Sequence, residues 1–316
     1  MSRIKAGFFG TPAEAIPILS GLLAVADVEL VVTRPDAPRG RSKDAVPPAV
    51  KVTAEGLGLR VLQPERPAEI LEEVSRLDVV VLAAYGLIIP SALLASAPHG
   101  FLNVHYSLLP RWRGASPVVR AILAGDERTG VTLIRMDDGL DTGPILAVSD
   151  TPIDPEETAG ELTGRLAALG GDLVKDVLAD VVGGRLGAEP QDDDGATAAG
   201  KVEVEEAFLD PRRHTAEAVH RAVRAFNPKP GAWGMVDAER IKVWRARRHE
   251  PGDPPADGLQ PGTAALAHSP DGPDRVLLAC ADGPVVLTKV QRQGRAAMDA
   301  GAWFNGRQGE PAVFES

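Results

Sequence analysis

Apolar segments of strand length alternate with helix-like segments through the first half of the chain, and this alternation constrains the fold more than any other feature. The strand candidates are continuously apolar, which is typical of parallel strands covered on both faces. They lie at 4–10, 28–33, 60–62, 78–84, 100–105, 129–136 and 144–148. Their alternation with helices predicts an open, mainly parallel, Rossmann-like α/β sheet, with Thr11 as N-cap of the first helix. Ligands of such sheets bind outside the carboxyl ends of the strands.

The last third of the chain has a different pattern. Short runs of β character at 232–236, 241–245, 275–280 and 285–290 are separated by turn-forming residues, which predicts a small, OB-like β-barrel. A polar, glycine-rich stretch before them is interpreted as a linker. We therefore expect a catalytic domain at 1–183, a linker at 184–206 and a barrel domain at 207–316.

Composition excludes several classes of protein. None of the apolar runs approaches the roughly 20 residues of a membrane-spanning helix, and the N-terminus enters a strand pattern directly, so we expect a cytoplasmic protein with no membrane association. The single cysteine, Cys280, excludes an intramolecular disulfide and a thiolate metal cluster, and its apolar neighbours predict a buried residue.

The net charge of −10 is unevenly distributed along the chain. Residues 1–210 hold 19 Lys and Arg against 32 Asp and Glu, whereas residues 211–316 hold 15 against 12. A mildly basic C-terminal part permits contact with nucleic acid without requiring it.

Three polar residues at the carboxyl ends of strand candidates form the candidate site. Asn103 and His105 are two apart on one strand, so their side chains share a face near its carboxyl end. An amide donor and a titratable imidazole aimed at one point suit the handling of a carbonyl oxygen. Asp141 offers a carboxylate on a glycine-flanked loop, although an aspartate in such a loop is also a common turn-former.

Two loops also fall at carboxyl ends of predicted strands. The loop at 34–48 is rich in proline and glycine and contains Arg34, Arg39, Arg41 and Lys43, so it is either a solvated loop or one that contacts phosphates. The segment Tyr85, Gly86, Leu87 is apolar enough to belong to the core, or it lines a cleft for a flat aromatic group.

Two segments resemble the active-site sequences of folate-dependent formyltransferases: 103–115, NVHYSLLPRWRGA, and 137–143, DDGLDTG. The form SLLPRWRGA is most similar to the branch of that family that acts on methionyl-tRNA, and the likeness covers nearly the whole chain. Tyr106 departs from the family pattern, which has a small residue there. Ala198, Val204 and Pro211 replace the Tyr, Lys and Trp typical of the segment between the domains.

The resemblance implies the formyltransferase fold and a transfer of the formyl group of 10-formyltetrahydrofolate to the α-amino group of initiator methionyl-tRNA, in translation initiation. It implies catalytic roles for Asn103, His105 and Asp141. The implied folate-binding residues are Ser107, Leu108, Leu109, Pro110, Tyr85, Gly86 and Leu87. The implied tRNA-binding residues are Arg39, Arg41 and Lys43, and the barrel would also hold the tRNA. We expect a monomer that needs no metal ion.

Rival functions make different demands on the sequence. A sugar-nucleotide formyltransferase shares the folate donor, the three catalytic residues and a C-terminal barrel, and is the alternative. A glycinamide ribonucleotide formyltransferase would lack the second domain. A non-catalytic RNA-binding module would not need Asn103, His105 and Asp141. A nicotinamide dehydrogenase would need a G-x-G-x-x-G turn, which does not follow the first strand candidate.

Overall fold

The computed structural model describes residues 3–38, 44–269 and 272–315. Its first half contains short apolar strands, as the sequence predicts. They are β1 (Ile4–Gly10), β2 (Ala26–Val32), β3 (Ala37–Pro38), β4 (Ala45–Val46), β5 (Val61–Leu62), β6 (Val79–Ala83), β7 (Phe101–His105), β8 (Arg128–Arg135) and β9 (Ile145–Pro152). The two-residue strands β3 and β4 pair only with each other, and the other seven strands form one sheet.

The sheet has the order β5–β2–β1–β6–β7–β8–β9. The first five of these strands run parallel, whereas β8 is antiparallel to both β7 and β9. The register aligns Gly10 of β1 with Ala83 of β6, and Leu82 with Asn103 of β7. The carboxyl ends of these three strands therefore meet at one edge, and the predicted open, mainly parallel sheet is confirmed.

Helices follow most of the strands. They are α1 (Ile16–Val25), α2 (Ala49–Gly56), α3 (Leu71–Val74), α4 (Ser91–Leu94), α5 (Pro117–Ala124), α6 (Ala159–Val182), α7 (Ala216–Ala225) and α8 (Ala300–Asn305). The predicted N-cap role of Thr11 is wrong. A 3₁₀ turn (Ala13–Ala15) precedes α1, and the Thr11 hydroxyl donates instead to the carbonyl of Tyr85, at 2.7 Å. That bond ties the loop after β1 to the loop after β6.

Aromatic rings fill the core beneath this edge of the sheet. Phe9 packs edge-to-face against Tyr85, with ring centroids 5.2 Å apart, and against Phe101, at 5.3 Å. All three rings are buried. Burial raises the pKa of Tyr85 to about 12, so its phenol stays neutral at physiological pH.

The last third of the chain forms a barrel. Its strands are β10 (Ala232–Val236), β11 (Glu239–Arg248), β12 (Thr263–Ala267), β13 (Arg275–Ala279), β14 (Pro284–Arg292), β15 (Met298–Asp299) and β16 (Ala312–Glu315). Antiparallel pairing runs β11–β10–β16–β12–β13–β14, and β14 pairs back onto β11. Six of the strands thus close into a ring with no open edge among them, and β15 pairs with β14 beside them. The predicted small barrel is confirmed.

Alternating apolar residues of the barrel strands, such as Phe314, pack in one core with Trp303 of α8. Cys280 lies in this core, as the sequence predicts, and burial raises the pKa of its thiol to about 12. α7 begins at a Thr215 cap whose hydroxyl accepts from the Ala218 amide, at 3.1 Å.

Contacts within the chain group it into two units. The first comprises 1–117, 128–152 and 163–200, and the second comprises 118–127, 153–162 and 201–316. Residues 184–200 thus belong to the first unit, while the proposed division at 1–183, 184–206 and 207–316 stays a prediction. Among the described residues, no helix has both the length and the apolar character needed to cross a membrane.

Candidate active site

Asn103 and His105 project from the carboxyl end of β7. The strand lies between β6 and β8, so both of its edges are paired, and the two side chains are polar residues in an otherwise apolar strand. Asn103 is 8% exposed and His105 is 5% exposed. Buried polar groups need hydrogen-bond partners, and the loops at this edge of the sheet supply them.

Asp141 lies on the loop that joins β8 to β9, and this loop is folded by its own residues. The Asp137 carboxylate accepts from the Gly139 amide, at 3.0 Å, and from the Thr142 hydroxyl, at 2.8 Å. A Cβ at Gly143 would lie 1.9 Å from the Arg135 carbonyl oxygen, so only glycine fits there. Asp141 itself has a φ of +55°, a left-handed conformation that residues with a side chain seldom adopt.

The three predicted catalytic side chains meet in one cluster. The Asn103 Nδ2 donates to Asp141 Oδ1, at 3.0 Å, and His105 Nδ1 lies 3.6 Å from Asp141 Oδ2. Oδ2 also accepts from the backbone amide of Gly114, at 2.9 Å. The other imidazole nitrogen, His105 Nε2, lies 2.9 Å from the Trp112 carbonyl oxygen. Both nitrogens of the ring therefore face oxygen acceptors, which fixes the plane of the imidazole.

The predicted folate-binding segment Ser107, Leu108, Leu109, Pro110 follows directly. Ser107 and Leu109 are buried, while Leu108 and Pro110 are partly exposed. Thr132 on β8 holds the segment, because its hydroxyl donates to the Ser107 carbonyl, at 2.7 Å, and accepts from the Leu109 amide, at 3.1 Å. The backbone of this turn is therefore held in place by the side-chain hydroxyl of Thr132.

The second predicted folate-binding segment lies at the end of β6. The Tyr85 ring packs in the core, Gly86 has a φ of +86° beside the Arg34 side chain, and Leu87 is partly exposed. Leu87 lines a cleft of about 390 Å³. The other residues of this cleft are Thr11, Arg34, Pro35, Ala37, Pro38, Val46, Pro48 and Glu65.

The predicted tRNA-binding residues Arg39, Arg41 and Lys43 lie outside the described residues. The strands that precede and follow them in sequence, β3 and β4, pair antiparallel. Asp36 at the base of this loop accepts from Gln63, at 2.7 Å, and from Lys51, at 2.9 Å. These two hydrogen bonds lower the pKa of the Asp36 carboxyl.

Two residues beside the cluster have contacts that the sequence did not predict. Tyr106 turns its hydroxyl toward the loop after β1 and donates to the Glu14 carbonyl, at 2.8 Å. Gln191, from the stretch interpreted as linker, donates to the carbonyl of Asp141, at 2.8 Å. Gln191 carries no local signal of this role, because its partners lie 48 and 50 residues away along the chain.

Known protein families and related sequences match almost the whole chain. The family described as "Formyl transferase" matches residues 18–178, and "Formyl transferase, C-terminal domain" matches 201–308. Methionyl-tRNA formyltransferase of Rhizorhabdus wittichii is 43% identical, with 96% of this chain and 95% of the relative covered. The protein of that name from Ruegeria pomeroyi is 42% identical, with 95% and 96% covered.

Solved structures with this fold are more distant in sequence. HypX from Aquifex aeolicus, solved with tetrahydrofolic acid, has a TM-score of 0.65 at 17% identity, with 96% of this chain and 47% of that chain covered. An N-formyltransferase from Helicobacter canadensis, solved with folinic acid and dTDP-3-aminofucose, has a TM-score of 0.65 at 17% identity, with 92% and 99% covered. At this level of identity the likeness establishes the fold alone.

Proposed function

The chain belongs to the formyl transferase family, and from this premise we propose that it transfers the formyl group of 10-formyltetrahydrofolate to the α-amino group of initiator methionyl-tRNA. The observation that carries the proposal is the meeting of Asn103, His105 and Asp141 at the carboxyl edge of the sheet, in a chain whose relatives at 42–43% identity are named methionyl-tRNA formyltransferase.

The reaction explains the residue types. The neutral amine attacks the formyl carbon, a new C–N bond forms, and the carbonyl oxygen becomes an oxyanion. The intermediate then collapses, the bond to the folate nitrogen breaks, and a proton passes from the amine to that leaving nitrogen. A donor aimed at the oxyanion lowers such a barrier by about 3–4 kcal/mol. A free α-amino group has a pKa of about 7.7–8.0, so an appreciable fraction is neutral near pH 7.

Asn103 and His105 are the proposed donors. Asp141 accepts a hydrogen bond from one N–H of the Asn103 amide, which leaves the second N–H for the oxyanion. A protonated His105 keeps its Nε2–H on the Trp112 carbonyl, at 2.9 Å. Its Nδ1 lies 3.6 Å from the Asp141 carboxylate, which is too long for a hydrogen bond, so the Nδ1–H is the donor left for the oxyanion. Asp141 already accepts from Asn103 and Gly114, so we assign it the task of orienting both donors. This chemistry requires no metal ion.

The substrates are assigned to the surrounding loops. We propose that Ser107 to Pro110 and Tyr85 to Leu87 border the folate, and that Arg39, Arg41 and Lys43 contact the tRNA. The barrel would hold the rest of the tRNA. The enzyme is proposed to be a cytoplasmic monomer, and the domain boundaries are proposed at 183/184 and 206/207.

A comparison of acceptors tests the function. The purified protein is incubated with 10-formyltetrahydrofolate and either methionyl initiator tRNA or an amino-sugar nucleotide, and formylated product is measured by mass. We expect formyl-methionyl-tRNA and no formylated sugar. Solved sugar formyltransferase structures share the fold with this chain at only 17–21% sequence identity. Formylation of the sugar alone would establish the sugar-nucleotide alternative in place of our proposal.

A further inference from the structure

The segment between α6 and the barrel packs against the active-site loops. Glu189 pairs with Ile145 of β9 through two backbone hydrogen bonds, of 2.7 and 2.8 Å. Further along, the Arg113 amide donates to the Thr197 carbonyl, at 2.8 Å, and the Ala199 amide donates to the Arg113 carbonyl, at 2.6 Å. The segment 189–199 is thus bonded at both ends to the loops that surround Asp141, and we call it the strap.

Gln191 is the strap residue that contacts the Asp141 loop through its side chain. Its Nε2 donates to the carbonyl of Asp141, at 2.8 Å, and to the carbonyl of Gly143, at 2.7 Å. Its Oε1 accepts from Arg113 Nε, at 3.0 Å. One amide therefore uses both hydrogens and its oxygen to join the loop after β8 to the loop after β7.

These bonds act on the backbone of the residue whose side chain orients the donors. Asp141 has the left-handed φ of +55°, which its side chain disfavours, and its carboxylate must reach Asn103 and Gly114 together. Hydrogen bonds to the carbonyls of Asp141 and Gly143 fix the backbone at and just after the strained residue. Removal of them would let the loop relax toward a conformation in which the carboxylate no longer reaches both partners.

We propose that Gln191 is a positioning residue for formyl transfer, which holds Asp141 in the conformation that orients Asn103 and His105. The proposal rests on the proposed function for its kinetic readout only. It predicts that loss of Gln191 lowers kcat and leaves the KM for methionyl-tRNA unchanged. The Gln191 amide bonds to the Asp141 loop and to Arg113, and we assign it no contact with the substrate.

Two variants and one control isolate the two donor bonds. Gln191→Ala removes all three bonds of the side chain. Gln191→Glu keeps an acceptor for Arg113 but loses both donors and places an anion against two carbonyl oxygens. Asp193→Ala is the control on the same strap, because the Asp193 side chain is 90% exposed and pairs with Arg113 Nη1, at 2.9 Å, without contacting the Asp141 loop.

The readouts are kcat and KM for methionyl-tRNA, and hydrogen–deuterium exchange of residues 137–143. We expect both Gln191 variants to lose about 10–100-fold in kcat with KM near the wild-type value, and to exchange faster at 137–143. Asp193→Ala should match the wild type in both readouts. If Gln191→Ala does not fold, Gln191→Glu, which conserves size, decides the question.

Wild-type kcat in the Gln191 variants, a kcat loss without faster exchange, or an equal loss in Asp193→Ala would each overturn the proposal. Failure of the proposed function would be seen separately, as a wild-type protein that does not formylate methionyl-tRNA. The exchange comparison would then still decide whether Gln191 holds the Asp141 loop.

Discussion

At the scale of single residues, Asn103 is both a member of the hydrogen-bonded cluster and a proposed donor to the oxyanion. Its amide has two hydrogens, of which one is donated to Asp141 Oδ1 at 3.0 Å. The remaining hydrogen is available to a substrate oxygen at the edge of the sheet. A buried amide that is oriented by one bond loses little freedom when it forms a second, which is the condition for a pre-organised donor.

Substitution of Asn103 by alanine should therefore lower kcat/KM for methionyl-tRNA by about 10²–10³-fold. tRNA affinity should change little, because the side chain is proposed to bond only to the oxyanion that forms during the reaction. The measurements are steady-state kinetics and tRNA binding. Ser96→Ala is the control, since Ser96 is a partly buried polar residue of the same unit that bonds to the Leu93 carbonyl, away from both the cluster and the loop at 34–48. Wild-type turnover in Asn103→Ala would remove Asn103 from the mechanism.

Tyr106 is the departure from the family pattern nearest to the site, and the structure gives its hydroxyl a structural partner. It donates to the Glu14 carbonyl at 2.8 Å, and burial raises the pKa of the phenol, so the hydroxyl remains a neutral donor. Tyr106→Phe removes this bond alone, and we expect it to lower the free energy of unfolding by about 1 kcal/mol. The formylation rate should stay near the wild-type value. A tenfold or larger loss of kcat with unchanged stability would instead make the hydroxyl part of the catalytic machinery.

At the scale of elements, the site depends on the packing of the strap against the loop after β7. Gly114 lies at this junction with a φ of +125°, and a Cβ there would lie 2.7 Å from the Ala199 carbonyl oxygen. Its amide also donates to Asp141. A side chain at this position would separate the strap from the loop and move the amide that holds the Asp141 carboxylate.

Gly114→Ala should thus destabilise the protein and reduce activity together. Gly184→Ala is the control, because Gly184 has a φ of +66° but a Cβ added there would meet no other atom within 4 Å, so it reports backbone strain alone. We expect Gly184→Ala to lower the free energy of unfolding by about 1–2 kcal/mol, and Gly114→Ala to lower it by about 1–3 kcal/mol more. Both values are measured by chemical denaturation. Equal losses of stability would mean that the strap does not pack as described.

The elements differ in how far the sequence could predict them. The apolar runs of β1, β2, β6 and β7 were identified because each is a complete local signal. β12 and β16 were missed, since short runs such as TAALA and AVFE become strands only by pairing with each other and with β10 and β13. The antiparallel direction of β8 is likewise a property of the assembled sheet.

The site shows the same division between local and non-local information. Asn103 and His105 were predicted from their spacing on one strand, and Asp141 from its glycine-flanked loop. Gln191 could not be predicted in this way, because it bonds mainly to backbone carbonyls of a distant loop, and a glutamine among aspartates and glycines carries no periodic pattern. Its role is visible only once the strap is folded.

At the scale of the whole molecule, the distribution of charge must be reconciled with a polyanionic substrate. Residues 1–210 carry a large excess of acidic groups, and tRNA would be repelled by them. The loop at 34–48 departs from this pattern, because it has four basic residues close together in sequence. Each phosphate that a basic side chain neutralises releases counterions, so these contacts must appear in the salt dependence of binding.

Arg41→Ala should therefore weaken tRNA binding and make the plot of log affinity against log salt concentration shallower by about one unit. The KM for 10-formyltetrahydrofolate should not change, because the residue is assigned to the tRNA alone. Lys51→Ala is the matched control: its ammonium lies 2.9 Å from the Asp36 carboxylate, so its charge is already paired within the protein and its loss should alter the slope much less. Binding is measured by titration of labelled methionyl-tRNA at several salt concentrations. An Arg41→Ala slope equal to that of the wild type would show that Arg41 neutralises no phosphate, and recognition of the tRNA would then have to come from other parts of the chain.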